Sequence, residues 1–374
     1  PRSDSSAASD VYKRQPIIYL NMVGGQDELV FDGGSFVVDD LGEIIYQASS
    51  FKEEVFHLDI DLKIKKQNDK PSLLIRPKTI ELKDIKSKPS MSENESIYSA
   101  LKLGLLDYVS KNKFTKVLIG ISGGIDSALT AAICVDALGA QNVIGVAMPS
   151  KYNSKDSLND AIKLSTNLGI KLKTIEIEKI VDSFRETLKN SLNEELGQIT
   201  DENIQSRVRG NILMGLSNQT GAMVVSTGNK SEMAVGYSTL YGDLAGGFAL
   251  IKDLYKSKVY ELSNYRNSIS EVIPKDIITK EPSAELRPNQ LDTDSLPDYE
   301  VLDKILNLYI EQDSSSEKII ATGIQPDLVY DVLEKVDRNE YKRKQVAPGV
   351  KLTQKAFGKD RRMPITNTYI RQKE

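Results

Sequence analysis

The stretch Gly120-Ile121-Ser122-Gly123-Gly124-Ile125-Asp126-Ser127 joins two apolar runs, KVLIGI at 116–121 and ALTAAICVDAL at 128–138, the second spaced helically up to Gly139. The first run predicts a buried strand and the second a helix with a glycine stop. A strand, a glycine-rich turn and a helix in that order aim free backbone N–H groups and the positive end of the helix dipole at one point. That point suits a phosphate. A Walker A loop is excluded because no lysine follows the last glycine, and the G-x-G-x-x-G dinucleotide spacing is absent. What remains is S-G-G-x-D-S, whose glycines admit an anion and whose serines donate hydroxyls. Asp126 would repel that anion unless a cation lay between them, and magnesium, which binds one or two carboxylates together with substrate phosphates, fits the need.

The rest of the chain narrows the chemistry. Its 374 residues can hold one large or two ordinary domains, and 40% hydrophobic with 27% charged residues is ordinary for a globular protein. No run reaches the roughly 18 apolar residues of a membrane span, so a cytoplasmic chain without a membrane partner is expected. One cysteine, Cys134, and one histidine, His57, leave too few parts for a disulfide within the chain, a Cys/His zinc site or a Ser-His-Asp triad. Cys134 lies on the apolar face of the helix after the loop and is expected in the core; His57 is expected on a surface strand. A formal net charge of −4 argues against nucleic acid as a partner. From Arg338 to the end, eleven Lys and Arg face three Asp and Glu, a basic tail of net +8 that is either a solvated surface or a clamp for phosphate-bearing substrates.

In chain order, residues 1–15 lack periodicity and read as a disordered or non-native leader. Residues 16–64 hold β-rich runs at 17–25, 28–40, 42–49 and 53–62 divided by Gly, Asp and Asn, a meander or hairpin set too small to stand alone. Residues 65–92 read as a linker, and 93–111 as a helix with Ile97, Leu101, Leu105 and Val109 on one face. Strands are then predicted at 142–148, 170–177 and 222–226, with helices at 154–168, 178–193 and 201–218. Alternation of this kind predicts an α/β fold, a doubly wound, mostly parallel, Rossmann-like sheet with ligands at the carboxyl ends of its strands. The loops available to chemistry are then 122–127, 148–154 and 227–232.

The last of these, Thr227-Gly228-Asn229-Lys230-Ser231-Glu232, brings a second acidic group to a second strand end. Glu232 reads equally as a partner of Asp126 on a shared Mg²⁺ and as half of a capping box. Glycines at 228, 236, 242, 246 and 247 then suggest a loop that covers a substrate. The segment 281–300, with Pro282, Pro288 and Pro297, is long for a connection and reads as a lid. Arg207 and Arg209, two apart, cannot share a helical face.

S-G-G-I-D-S resembles the signature of the ATP pyrophosphatases, and the whole run 226–256 resembles the NAD synthetases among them. Residues 21–35, NMVGGQDELVFDGGS, resemble the end of the nitrilase-like glutaminase domain of the glutamine-dependent NAD synthetases. The resemblance implies an adenine nucleotide α-hydrolase-like synthetase domain at 93–374, preceded by a glutaminase remnant at 16–64 that lacks its nucleophile, because no cysteine precedes Cys134. It implies ATP-dependent amidation of deamido-NAD through an adenylate, with ammonia or glutamine as nitrogen source and a homodimer or higher homo-oligomer as the assembly. On matching positions it implies that Gly120, Ser122, Gly123, Gly124 and Ser127 hold ATP phosphates, with Asp126 and Glu232 on magnesium. Met148 would border adenine, Thr227 and Arg207 would meet ATP, and Lys256 would neutralise phosphates. Asn203, Arg209, Glu232, Asp243, Lys359 and Arg361 would serve the dinucleotide. Within enzymes the loop alone also admits a GMP or asparagine synthetase relative; outside them, a sensor that holds ATP without turning it over.

Overall fold

The computed structural model describes residues 16–58 and 91–366. These divide into two compact units, one of 16–24, 31–58 and 91, the other of 25–30 and 92–366.

The small unit is antiparallel β. Strands β1 (Ile17–Tyr19), β4 (Phe36–Val38) and β5 (Ile44–Gln47) form one sheet in the order β1-β4-β5, while β2 (Val23–Gln26) and β3 (Leu29–Asp32) pair as a hairpin whose tip belongs to the large unit. The single β run expected at 28–40 breaks in two because Gly33 and Gly34 both take left-handed backbone, at φ +68° and +60°. The run expected at 53–62 is not a strand over its described part, 53–58, and the remainder lies outside the described residues, as do 1–15 and most of the expected linker. Glu54 explains the loss: its carboxylate accepts from the Ser49 N–H, the Ser49 hydroxyl and the Tyr46 hydroxyl, folding the chain back on β5. Phe56 stacks on Tyr46 there, and His57 is exposed on irregular chain.

The large unit is built on a five-stranded parallel sheet of β6 (Val117–Gly120), β7 (Val143–Ala147), β8 (Lys171–Thr174), β9 (Met223–Ser226) and β10 (Phe248–Ala249), ordered β10-β9-β6-β7-β8. The helices that matter to the site are α1 (Glu93–Lys111), α2 (Ile125–Leu138), α3 (Lys155–Leu168), α4 (Glu178–Leu192), α5 (Gln198–Thr220), α6 (Lys230–Val235) and α7 (Lys256–Ile269). Side chains alternate across the strands, so both faces are covered. Val117, Ile119, Met223, Val225 and Phe248 pack with Leu101, Leu105, Leu129 and Ile133 on one side. Leu118, Val146 and Val224 pack with Val181, Ile204 and Val208 on the other. Cys134 is fully buried in the first of these layers.

Topology fixes where a ligand can enter. The chain runs outward from β6 through β7 to β8, then returns to β9 on the opposite side of β6, so the winding reverses between β6 and β9. A crevice opens at the carboxyl ends of strands flanking such a reversal.

One buried cation ties the end of the chain to this crevice. Lys230, with no exposed surface, bonds Asp253 at 2.8 Å, the Thr353 hydroxyl at 2.6 Å, the Lys355 carbonyl at 3.1 Å and Glu311. Its removal would strand two buried carboxylates. Lys230→Ala should therefore cost about 3–5 kcal/mol, read as a lowered urea midpoint; a midpoint equal to the parent's would contradict this account.

Candidate functional site

The turn after β6 is held by its own serines. Ser127 Oγ donates to the Gly124 carbonyl at 3.0 Å and lies 3.2 Å from Ser122 Oγ, which accepts from the Gly124 N–H. Gly123 has φ +82°, and a Cβ there would lie 2.3 Å from the Ser157 carbonyl oxygen, so the turn seats against the start of α3 only without a side chain. Asp126 stands in the first turn of α2.

The loop after β9 meets it. Asn229 caps α6 with its side chain, and the Glu232 carboxylate returns a bond to the Asn229 N–H at 3.3 Å, the capping box that one reading of the sequence expects. Asn229 Nδ2 donates to Asp126 Oδ1 at 2.9 Å, and Lys256 Nζ, at the start of α7, lies 2.5 Å from Asp126 Oδ2 and 3.8 Å from Glu232 Oε1. The two carboxylates thus face one common cation. Burial pulls the Lys256 pKa down, but Asp126 and Glu232 outweigh it and hold the ammonium protonated above its usual range. Burial and the Asp126 charge push the Glu232 carboxyl well up.

Asp126, Glu232 and Lys256 line a cavity of about 300 Å³ together with Gly120, Ser122, Gly124, Ser127, Met148, Arg209, Thr227 and Asp243. Arg209 donates to the Met148 carbonyl at 3.1 Å and to Asn153 at 3.0 Å, and desolvation lowers its pKa to about 10, so it remains a cation at neutral pH. The Asp243 carboxylate accepts from the Thr239 N–H and the Ser206 hydroxyl on the cavity wall, and the enclosing protein raises its pKa despite those bonds.

Four expected residues stand elsewhere. Arg207 points to the exposed side of α5 and donates to the Leu240 carbonyl. Asn203 accepts from the Thr239 hydroxyl and does not line the cavity. Lys359 is exposed beside Glu28, and Arg361 lies 4.3 Å over the Tyr309 ring. In the described part of the basic tail, Lys342 bonds the Gly236 and Ser238 carbonyls, Arg343 the Ala234 carbonyl, Lys351 Asp360, and Lys355 Asp313. The glycine-rich run 226–256 is a packed wall, not a loose cover. A Cβ on Gly242 would meet Ser206 Oγ at 2.3 Å, one on Gly247 would meet Met223 at 2.8 Å, and Phe248–Ala249 join the sheet.

Within 281–300, residues 281–286 and Asp292 line the cavity. Glu285 accepts from Ser157 Oγ at 2.5 Å and Asn153 Nδ2 at 2.7 Å, while Lys280 reaches the same serine. Sequence reasoning missed Asn229 as a partner of Asp126, and also Lys280, Glu285 and Asp292. Asn229 lies in the 227–232 loop that the strand pattern marks, the proline spacing points to the segment of Glu285 and Asp292, and Lys280 falls just before it.

These features define a parallel α/β protein with a ligand crevice at its winding reversal, walled by a glycine turn and two carboxylates. The family described as NAD synthase matches residues 97–346. The glutamine-dependent NAD(+) synthetase of Thermotoga maritima is 50% identical over 373 residues, covering 94% of this chain and 64% of that protein. Among solved structures, glutamine-dependent NAD+ synthetase from Acinetobacter baumannii in complex with ADP is 42% identical, with TM-score 0.66 over 97% of this chain and 64% of that one. The NH3-dependent NAD synthetase from Campylobacter jejuni is 30% identical, with TM-score 0.55 over 68% of this chain and 96% of that one. The chain belongs to the NAD synthase family, and it spans 64% of the length of its Thermotoga relative.

Gly123→Ala tests the turn. Strain of this kind costs about 1–3 kcal/mol, so the variant should unfold at lower urea; an unchanged midpoint would show that the turn can shift away from Ser157.

Proposed function

We propose that the chain amidates deamido-NAD at the expense of ATP, with ammonia as nitrogen source. The observation that carries this is the convergence of Asp126 and Glu232, from two strand ends, on the Lys256 ammonium.

Magnesium fits the residues present. Two carboxylates with a common cation between them offer hard oxygen donors, and no group of three acidic, His or Cys side chains is placed to cage a metal among the described residues. That is the donor set of an ion which shares itself with substrate phosphates. Asp126 and Glu232 would hold it, and bound Mg²⁺ supplies neutralisation of phosphate charge.

The remaining steps fall to the chain. Backbone N–H groups of the 120–124 turn, with Ser122 and Ser127, bind ATP phosphates at the N-terminus of α2. Met148 borders adenine, Thr227 lies against the nucleotide, and Lys256 neutralises charge as pyrophosphate departs. A carboxylate oxygen of the nicotinate attacks the α phosphorus, the bond from Pα to the bridging oxygen breaks, and pyrophosphate leaves. Ammonia then attacks the acyl carbon, the carbon–oxygen bond to phosphate breaks, AMP leaves with the electron pair, and the nitrogen loses one proton to solvent. Positioning and charge neutralisation suffice, with no covalent enzyme intermediate. Arg209 and Asp243 are assigned to the dinucleotide. Asn203 would meet the dinucleotide, and Arg207 ATP, only across a homodimer or higher homo-oligomer, and Lys359 and Arg361 would meet the dinucleotide only after movement of their segment.

Strands 16–58 would then be the end of a glutaminase domain, with glutamine as nitrogen donor in a longer cytoplasmic protein; no described helix is long and apolar enough to cross a membrane.

The test supplies ATP, Mg²⁺ and ammonium with either deamido-NAD or xanthosine monophosphate. Pyrophosphate release should depend on deamido-NAD; dependence on xanthosine monophosphate would make the chain a GMP synthetase relative. Asp126→Ala should lower NAD formation by about a thousandfold or more with an unchanged circular dichroism spectrum. Turnover near the parent's rate would remove Asp126 from the chemistry, and a parent that binds ATP without releasing pyrophosphate would be a sensor.

A further inference from the structure

Three cations line the cavity among the described residues, and two of them are committed. Lys256 stands between Asp126 and Glu232, and Arg209 is held by the Met148 carbonyl and Asn153. The third is Lys280, which ends the short helix Lys275–Thr279. Its ammonium donates to the Ser157 hydroxyl, and its one carboxylate partner among the described residues is Glu285, at 3.3 Å. Ser157 is also the residue whose carbonyl abuts Gly123, so the ammonium is tied to the residue against which the glycine turn seats.

The pairing of Lys280 with Glu285 is lopsided. Glu285 Oε1 accepts from Ser157 Oγ at 2.5 Å, from Ser154 Oγ at 3.3 Å and from Lys280 Nζ at 3.3 Å, while Oε2 accepts from Asn153 Nδ2 at 2.7 Å. The lysine bond is among the longest of these, so the carboxylate stays satisfied when the ammonium leaves it. Burial does not fix the lysine either, since its side chain is 31% exposed, and an ion pair so open adds little to stability. Lys230, with no exposed surface and two carboxylates on it, is the contrary case. A lysine held as Lys280 is can turn its flexible stem from one anion to another. The class of that second anion follows from the cavity. Its glycine turn and helix N-terminus suit phosphate, while Asp126 and Glu232 already offset the charge of Lys256. A polyphosphate bound there calls for a further cation, and Lys280 lines the same cavity.

We propose that Lys280 is a catalytic cation for the departure of pyrophosphate, exchanging the Glu285 carboxylate for the terminal phosphates when ATP binds. The inference rests on the amidation reading above. As the bond from Pα to the bridging oxygen breaks, its electron pair stays on that oxygen, and the Lys280 ammonium meets the new charge with a hydrogen bond while keeping its protons. Glu285 is a positioning residue: it holds the ammonium beside the turn before ATP arrives and receives it again once pyrophosphate has left.

The experiment titrates inorganic pyrophosphate calorimetrically into the parent, Lys280→Ala, Lys280→Arg and Glu285→Gln, and follows pyrophosphate release from ATP in the presence of deamido-NAD for each. Loss of one charged hydrogen bond should weaken pyrophosphate binding about tenfold or more in Lys280→Ala and slow release by a similar factor. Lys280→Arg, which keeps the charge, should recover most of both. Glu285→Gln should bind pyrophosphate at least as tightly as the parent, because the competing carboxylate is gone, an outcome that a merely structural ion pair would not give. Pyrophosphate affinity in Lys280→Ala equal to the parent's would overturn the proposal. An equal loss of affinity in Lys280→Ala and Glu285→Gln would overturn it too, by making the pair a brace. A parent whose pyrophosphate binding depends on Lys280, yet which releases none from ATP with deamido-NAD, would overturn the amidation reading while retaining Lys280 as a polyphosphate ligand.

Discussion

Asp126 is clamped between a carboxamide and an ammonium that reach it from 103 and 130 residues further along the chain. Everything else at the crevice is arranged around that clamp. The turn after β6 carries the carboxylate into the first turn of α2, where the helix dipole favours negative charge. The capping box of α6 fixes Asn229 and Glu232 together, so that one local motif presents both the clamp's amide and the second carboxylate. Lys256 then sits between two acidic groups in a place nearly free of water, where an ion pair is held tightly and an incoming anion feels a cation already in position.

The supporting structure explains why this arrangement stays put. Lys230, next in sequence to Asn229, is buried and bonded to Asp253, Glu311 and the 353–355 backbone and side chains. Ser231 donates to Asp303, and the Ser257 N–H bonds the same carboxylate, which fixes the starts of α6 and α7 against one another. Glu285 bonds Ser157 at the start of α3, the residue whose carbonyl abuts Gly123. The glycine turn is therefore braced from the side opposite the clamp as well.

Much of this was legible in the sequence because local rules carried it. The strand, turn and helix at 116–138, the helix at 93–111 and the later alternation all follow from apolar spacing, and the sheet delivers the 122–127 and 227–232 loops to one crevice as open parallel topology requires. What was not legible is long-range. Asn229 reads as a cap, and nothing near it in sequence says that its amide also faces Asp126. The glycines at 242 and 247 read as looseness, whereas they are small because α5 and β9 press against them. The tail read as a surplus of positive charge, yet Lys342 and Arg343 are matched by carbonyls, and Lys355 by a carboxylate, from distant segments. Asp292 carried no signal at all, since only the fold brings it to the cavity.

The central claim is that Asp126 and Glu232 act as one centre for a divalent ion shared with ATP. Calorimetric titration of ATP into the parent and into Glu232→Gln, each with and without Mg²⁺, tests it most directly. Mg²⁺ should tighten ATP binding to the parent by about tenfold or more and do so far less in the variant. An equal gain in both proteins would mean that Glu232 serves the cap of its helix and no ion.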